Sequence, residues 1–133
     1  MFKLVKEIKS KSGELHFRRY RIIETPWLSI YLHYIAKSDE DKHPHNHPWN
    51  FFSIVFMGIY YEDCYSKEVG EYGRYSRFFN YHTHKEYHKL KLAKPVRSLV
   101  FCGKKRNKDC GYWVDGKHIQ HEKYREMKHN SEL

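Results

Sequence analysis

The chain lacks most of what staples, unstructures or anchors a small protein. Its 3 cysteines, Cys64, Cys102 and Cys110, are odd in number and fit no zinc-module spacing. They therefore argue against a disulfide framework and for a reducing compartment. With only 4 prolines and 7 glycines in 133 residues, collagen-like and low-complexity classes are excluded. No apolar run reaches about 18 residues, and the opening MFKLVKEIKS alternates apolar with charged residues where a signal peptide would build a core. The expectation is a cytoplasmic protein with no membrane partner. Acid is also scarce: 16 Asp and Glu stand against 25 Lys and Arg, a formal net charge of +9. The lysines are scattered with no long basic run, so nucleic acid is a possible partner but a solvated surface is favoured.

Aromatic residues are abundant, at 17% of the chain, and 12 of them are tyrosines. Such residues suit half-buried pleated surfaces and pocket walls. Period-two alternation runs through residues 2–9, 15–23, 27–36, 48–63, 71–80, 86–92, 96–102 and 110–114, the pattern of half-buried strands. Ser12-Gly13, Thr25-Pro26, the acidic stretch 38–41, Val69-Gly70, Ala93-Lys94-Pro95 and Asp115-Gly116 punctuate them. The length suits one domain, 1–133, of all-β sandwich or barrel type. The tail from 121 to 133 is expected to be helical in its first part and frayed at its end.

The densest chemistry lies in DKHPHNHPWNFFSIVFMGIYYE, residues 41 to 62. His43, His45 and His47 stand at every second position before an apolar run. Two imidazoles at i and i+2 of a strand share a face and can share a metal ion. If His45 and His47 face inward, Trp49, Phe51, Ser53, Val55 and Met57 follow them. The opposite face carries Phe52, Ile54 and Phe56, so it needs a cover, and a homodimer is expected. A third ligand is sought in NYHTHKEYHKLKL, residues 80 to 92. There His88 shares the inward parity of Leu90 and Leu92, whereas His82 and His84 sit near a turn and can face solvent. The proposed metal ligands are thus His45, His47 and His88, with His43 and His84 as possible additions. His33 reads as a core or rim histidine. A metal-free histidine-lined pocket and a purely structural role are the alternatives.

These residues resemble the cupin superfamily, whose first motif has His-x-His, a glutamate three or four residues on, and a glycine seven beyond that. His45, His47 and Gly58 match, while Phe51 stands at the glutamate position. The second motif survives only as His88. The chain also resembles small cupin-like proteins of bacteria and phages with an HDHPWDF-type motif, some labelled cysteine-dioxygenase-like. The stretches that carry this likeness are Leu32-His33-Tyr34, His45-Asn46-His47-Pro48-Trp49-Asn50-Phe51, Met57-Gly58-Ile59-Tyr60-Tyr61-Glu62, His88-Lys89-Leu90, Phe101-Cys102-Gly103-Lys104 and Cys110-Gly111-Tyr112. The resemblance implies an all-β double-stranded β-helix, the jelly-roll barrel, with a short C-terminal extension. Asn46 and Asn50 replace the aspartates usual in that motif.

Three neutral imidazoles leave open positions on a divalent iron, manganese, nickel or zinc ion, and imidazoles alone do not choose among these. With no carboxylate ligand, the site keeps its full positive charge and favours a small anionic molecule. Arg74, Arg77 and Arg97 are candidates to bind that anion. Tyr60 and Tyr112 are candidate acid groups, and Glu62 is a candidate to orient an imidazole. Dioxygenase-like or Lewis-acid chemistry is expected. A metal-free sugar-nucleotide isomerase or epimerase, and a non-catalytic binding module with a basic surface, are the competing readings.

Overall fold

A computed structural model describes residues 3–39, 43–106 and 110–131. Among these residues, eleven strands precede one helix: β1 (Lys3–Lys9), β2 (Leu15–Glu24), β3 (Ser29–Ile35), β4 (Trp49–Met57), β5 (Tyr60–Ser66), β6 (Gly70–Ser76), β7 (Phe79–His82), β8 (Tyr87–Lys91), β9 (Val96–Lys105), β10 (Gly111–Val114), β11 (Lys117–Gln120) and α1 (His121–His129). One layer is a six-stranded sheet in the order β1-β2-β3-β9-β4-β7. The other holds β6-β5-β8 and the β10-β11 hairpin. Every pairing is antiparallel. The result is the expected all-β jelly-roll barrel.

The alternation works as a two-faced strand demands. On β9, Val96, Ser98, Val100 and Cys102 point inward and are buried, while Arg97 is exposed. Tyr60 of β5 packs with Ile35, Val55 and Val96, and Phe17 and Leu90 close on them. A second cluster joins Tyr31, Val100 and Cys102, with Trp49 and Phe51 against it.

Two expected strands are each divided. Residues 48–63 form β4 in one sheet and β5 in the other, because the chain turns at Gly58. Its φ is +89°, and a Cβ there would lie 2.8 Å from the Pro95 carbonyl oxygen, so only glycine fits without displacing backbone. Residues 71–80 likewise split into β6 and β7. Alternation is blind to such corners, since both halves remain two-faced. Asp115 (φ 47°) and Gly116 (φ 82°) build the turn between β10 and β11, the left-handed pair that tight hairpins prefer. The tail does form a helix, α1. Its buried Tyr124 stacks 3.7 Å from the Tyr112 ring of β10.

Candidate metal centre

The interior is strongly polar. Glu62, His82, His88, Ser53, Ser76, Ser98 and Asn80 are all buried, although burying such groups costs stability unless partners satisfy them. Three histidine rings meet there, one from β8 and two from the segment that leads into β4. His88 lies on β8. His45, expected to begin the long strand, instead bridges β8 to β10: its N–H donates to the His88 carbonyl (2.9 Å), and the His88 N–H returns to the His45 carbonyl (2.8 Å). Its other side bridges to Tyr112. The chain then crosses through His47 into β4. Ring centroids are 5.1 Å apart for His45 and His47, 4.8 Å for His45 and His88, and 5.0 Å for His47 and His88. Candidate ligand nitrogens of all three lie within 4.8 Å of one another. The Nε2 atoms of His47 and His88 are 2.8 Å apart. Two nitrogens bound to one ion at about 2.0–2.1 Å would stand roughly 3 Å apart, so the donor set fits a single divalent ion.

Glu62 fixes the third ring. Its side chain is completely buried, and Oε1 accepts from His88 Nδ1 at 2.8 Å. That contact leaves Nε2 as the lone pair facing His47, the carboxylate–imidazole arrangement that orients metal-binding histidines. Oε2 accepts from Arg74 Nε at 2.8 Å and from Ser76 Oγ at 2.7 Å. Arg74 also reaches the His82 ring, with Nη2 2.7 Å from Nε2, and lies 3.3 Å from Glu86 Oε1. Burial would raise the Glu62 carboxyl, yet the hydrogen bond and charge of His88, then His82 and Arg74, hold it well below the usual carboxylate range. Burial opposes the charged form of His88, and Glu62 overcomes that to raise it. His47 is driven far down by burial first, then by His88, His45, His82 and Arg19. That direction favours the neutral imidazole, the form a metal ligand needs.

Glu62, His82 and His88 form a second donor group at ligand spacing. The Arg74 guanidinium already neutralises it, so a dication there would meet a fixed cation at contact distance. No salt bridge or hydrogen bond seen among the described residues puts a Lys or Arg on the His45, His47 and His88 rings.

Several predicted residues lie elsewhere. Nδ1 of His43 is 3.0 Å from the Tyr124 hydroxyl, which ties it to α1. The backbone N–H of His84 donates to Asn50 Oδ1, and His84 is outside both donor groups. Arg74 is absorbed in the Glu62 network. Arg77 is exposed, with its guanidinium 5.8 Å from the Phe78 ring. Arg97 is on the outer face, against Tyr34. Neither belongs to the inward-facing rows around the histidines. Tyr60 is core, its hydroxyl pKa raised by burial. Tyr112 lies 6.0 Å from the His45 ring. Asn46 is buried, and its Oδ1 accepts from the Gly111 N–H at 2.7 Å. Both asparagines thus fasten loops beside the rings.

Sequence reasoning underrated His82. It is buried and stacked 4.6 Å from Phe51, because β7 runs to its end with Asn80 and His82 facing inward. Extending the 71–80 alternation by two residues would have found it. Phe51, at the motif's glutamate position, packs on His47 (5.2 Å) and His82 and walls the site with an apolar ring.

No known family model matches the chain, and no curated protein matches it. Solved structures do. An iron(II) form of HppE superposes with TM-score 0.57 at 15% identity, covering 76% of this chain and 56% of that one. An oxalate decarboxylase gives 0.57 at 10%, covering 77% and 28%. Streptomyces albus HEPD with 2-hydroxyethylphosphonate and Fe(II) bound gives 0.58 at 11%, covering 73% and 24%. This chain spans about half the length of the HppE structures it matches. The likeness establishes a cupin fold. Among the described residues, no helix is long and apolar enough to cross a membrane.

Proposed function

We propose that this is a mononuclear metalloprotein in which His45, His47 and His88 hold one divalent iron, manganese, nickel or zinc ion, and that a small anionic molecule binds beside it. The observation carrying this reading is the near-equilateral triangle of three imidazoles, one of them oriented by a fully buried carboxylate. The iron(II) named in the HppE and HEPD structures of the same fold supports it. The ion would supply Lewis acidity or dioxygenase-like redox chemistry at its open positions. The protein's part is to keep His47 neutral, to aim His88 through Glu62, and to exclude water with Phe51. The motif His45-Asn46-His47-Pro48-Trp49 favours the narrower likeness to small bacterial and phage cupin-like proteins. The free thiols of Cys64, Cys102 and Cys110 favour a cytoplasmic setting. We also propose a homodimer through the outer face of the six-stranded sheet, where Phe56 is 55% and Phe79 70% exposed; light scattering that reads a monomer at micromolar concentration would refute it.

One observation favours a second reading. The bond between Glu62 and His88 is also what a metal-free isomerase would use to prepare a histidine base. Two further imidazoles aimed at the same point argue for the ion instead. Elemental analysis of untagged protein decides between them. Near-stoichiometric metal in the wild type, lost in each of His45→Ala, His47→Ala and His88→Ala, supports the metal centre. Its absence after reconstitution with all four ions overturns it.

A further inference from the structure

Arg19 is a half-buried cation on the inward face of β2, with no carboxylate partner among the described residues. It lies on β2 between inward-facing Phe17 and Arg21, paired across the ladder with His33. Its Nε donates to His33 Nε2 at 3.0 Å, the one hydrogen bond seen for its side chain among the described residues. No carboxylate lies within ion-pair distance of it among those residues. Glu24, on the same strand, is taken by Tyr31, whose hydroxyl donates to Oε2 at 2.9 Å. The guanidinium carbon lies 4.8 Å from the Tyr31 ring centroid and 5.7 Å from that of Phe17, so two aromatic faces and one imidazole fix its plane. Burying a charge without a partner is expensive, and a sequence rich in lysine and poor in acid gains nothing in net charge from it.

The orientation carries the argument. His33 takes Nε, which leaves Nη1 and Nη2 as the unused donors. Tyr31, beneath the guanidinium, belongs to the cluster that includes Phe51, and Phe51 touches His47. We propose that Arg19 is the anion-binding residue of the three-histidine centre, taking a carboxylate or phosphonate group of a small ligand in its Nη1/Nη2 fork. This inference rests on the metal reading above and names the ligand chemistry for it: a molecule with an oxyanion at one end and a metal-binding atom at the other. Two oxygens on one centre match the fork, and a Lys at this position would lose that match.

The test uses the full chain, zinc chloride, and two probes, acetate and methylphosphonate, followed by calorimetry. Arg19→Met should bind Zn(II) within about twofold of wild type and bind the preferred probe about tenfold or more weakly, the scale of a lost charge-assisted contact. Arg19→Lys should fall between. The probe that binds more tightly identifies the oxyanion class. In the wild type, the Arg19 Nε–H resonance, assigned by its absence from Arg19→Lys, should move on titration; this reading survives even if Arg19→Met does not fold. Equal anion affinity in wild type and Arg19→Lys with an unmoved resonance overturns the proposal, as does failure of the wild type to bind either probe. If Zn(II) does not bind, the metal centre fails alone. The same anion titrations of the metal-free protein then judge Arg19.

Discussion

Arg74 and Arg19 both lie on inward rows of this barrel, and their surroundings are opposite. Arg74 on β6 meets Glu62 and Glu86 and is fully engaged in holding buried charge. Arg19 on β2 meets a neutral imidazole and two aromatic rings. Both lie on inward rows of alternating strands, and nothing in the alternation separates them. What differs is the strand opposite. β6 pairs Arg74 with Glu62, whereas β2 pairs Arg19 with His33. One guanidinium therefore belongs to the architecture of the site, and the other is left to recognise something from outside.

The largest effect expected from this contrast is on stability. Arg74→Met leaves Glu62 buried without its guanidinium and should cost about 3 kcal/mol in urea unfolding, the lower end for a broken buried pair because Arg74 is partly exposed. Arg19→Met should cost no more than about 1 kcal/mol, since replacing a poorly paired, half-buried cation by an apolar side chain is often neutral. Equal losses in the two variants would make Arg19 a structural residue and dissolve the contrast.

Next comes metal affinity. Glu62→Gln should weaken Zn(II) binding by about 10–100-fold, because His88 loses the carboxylate that orients it. Arg19→Met should leave it unchanged. The acid limb of stability sharpens the difference further. The folded-state pKa of Glu62 is depressed, so its contribution is complete above its unfolded value, about 4.3, and disappears as pH falls through the folded value. Unfolding of metal-free protein followed from pH 6 to pH 2 should show this loss in Arg19→Met and much less of it in Glu62→Gln.

The smallest effect is on two thiols. Burial pushes Cys64 and Cys102 up to about 12 each, with Glu62 adding to the first and Arg19 opposing the second. At pH 8 iodoacetamide should label the native protein at Cys110 alone. Glu62→Gln should make Cys64 slightly more reactive, and Arg19→Met should make Cys102 slightly less so.

Much of the fold was legible because alternation is a local property. Each expected strand overlaps an observed one, and the tail helix forms where its polar, proline-free run allows. The corners at Gly58 and between β6 and β7 were not legible, since alternation continues through both. His45, His47, His88 and Glu62 were identified by parity and motif, and the structure brings them together. Alternation predicts that His45 begins a continuous strand, whereas it is a one-residue bridge between β8 and β10. His82 and Arg19 were not legible, because alternation gives a residue's face but not the side chains that meet it across the ladder.

The sequence by itself determined the all-β class, the inward parity of each strand and a histidine set rich enough to bind metal. Period-two patterning and side-chain chemistry act over a few residues, so a linear reading reaches them. Only the tertiary structure decided which inward charges meet. Pairing partners such as Glu62 with Arg74, or Arg19 with His33, follow from strand order and register, and those are set by packing the two sheets together.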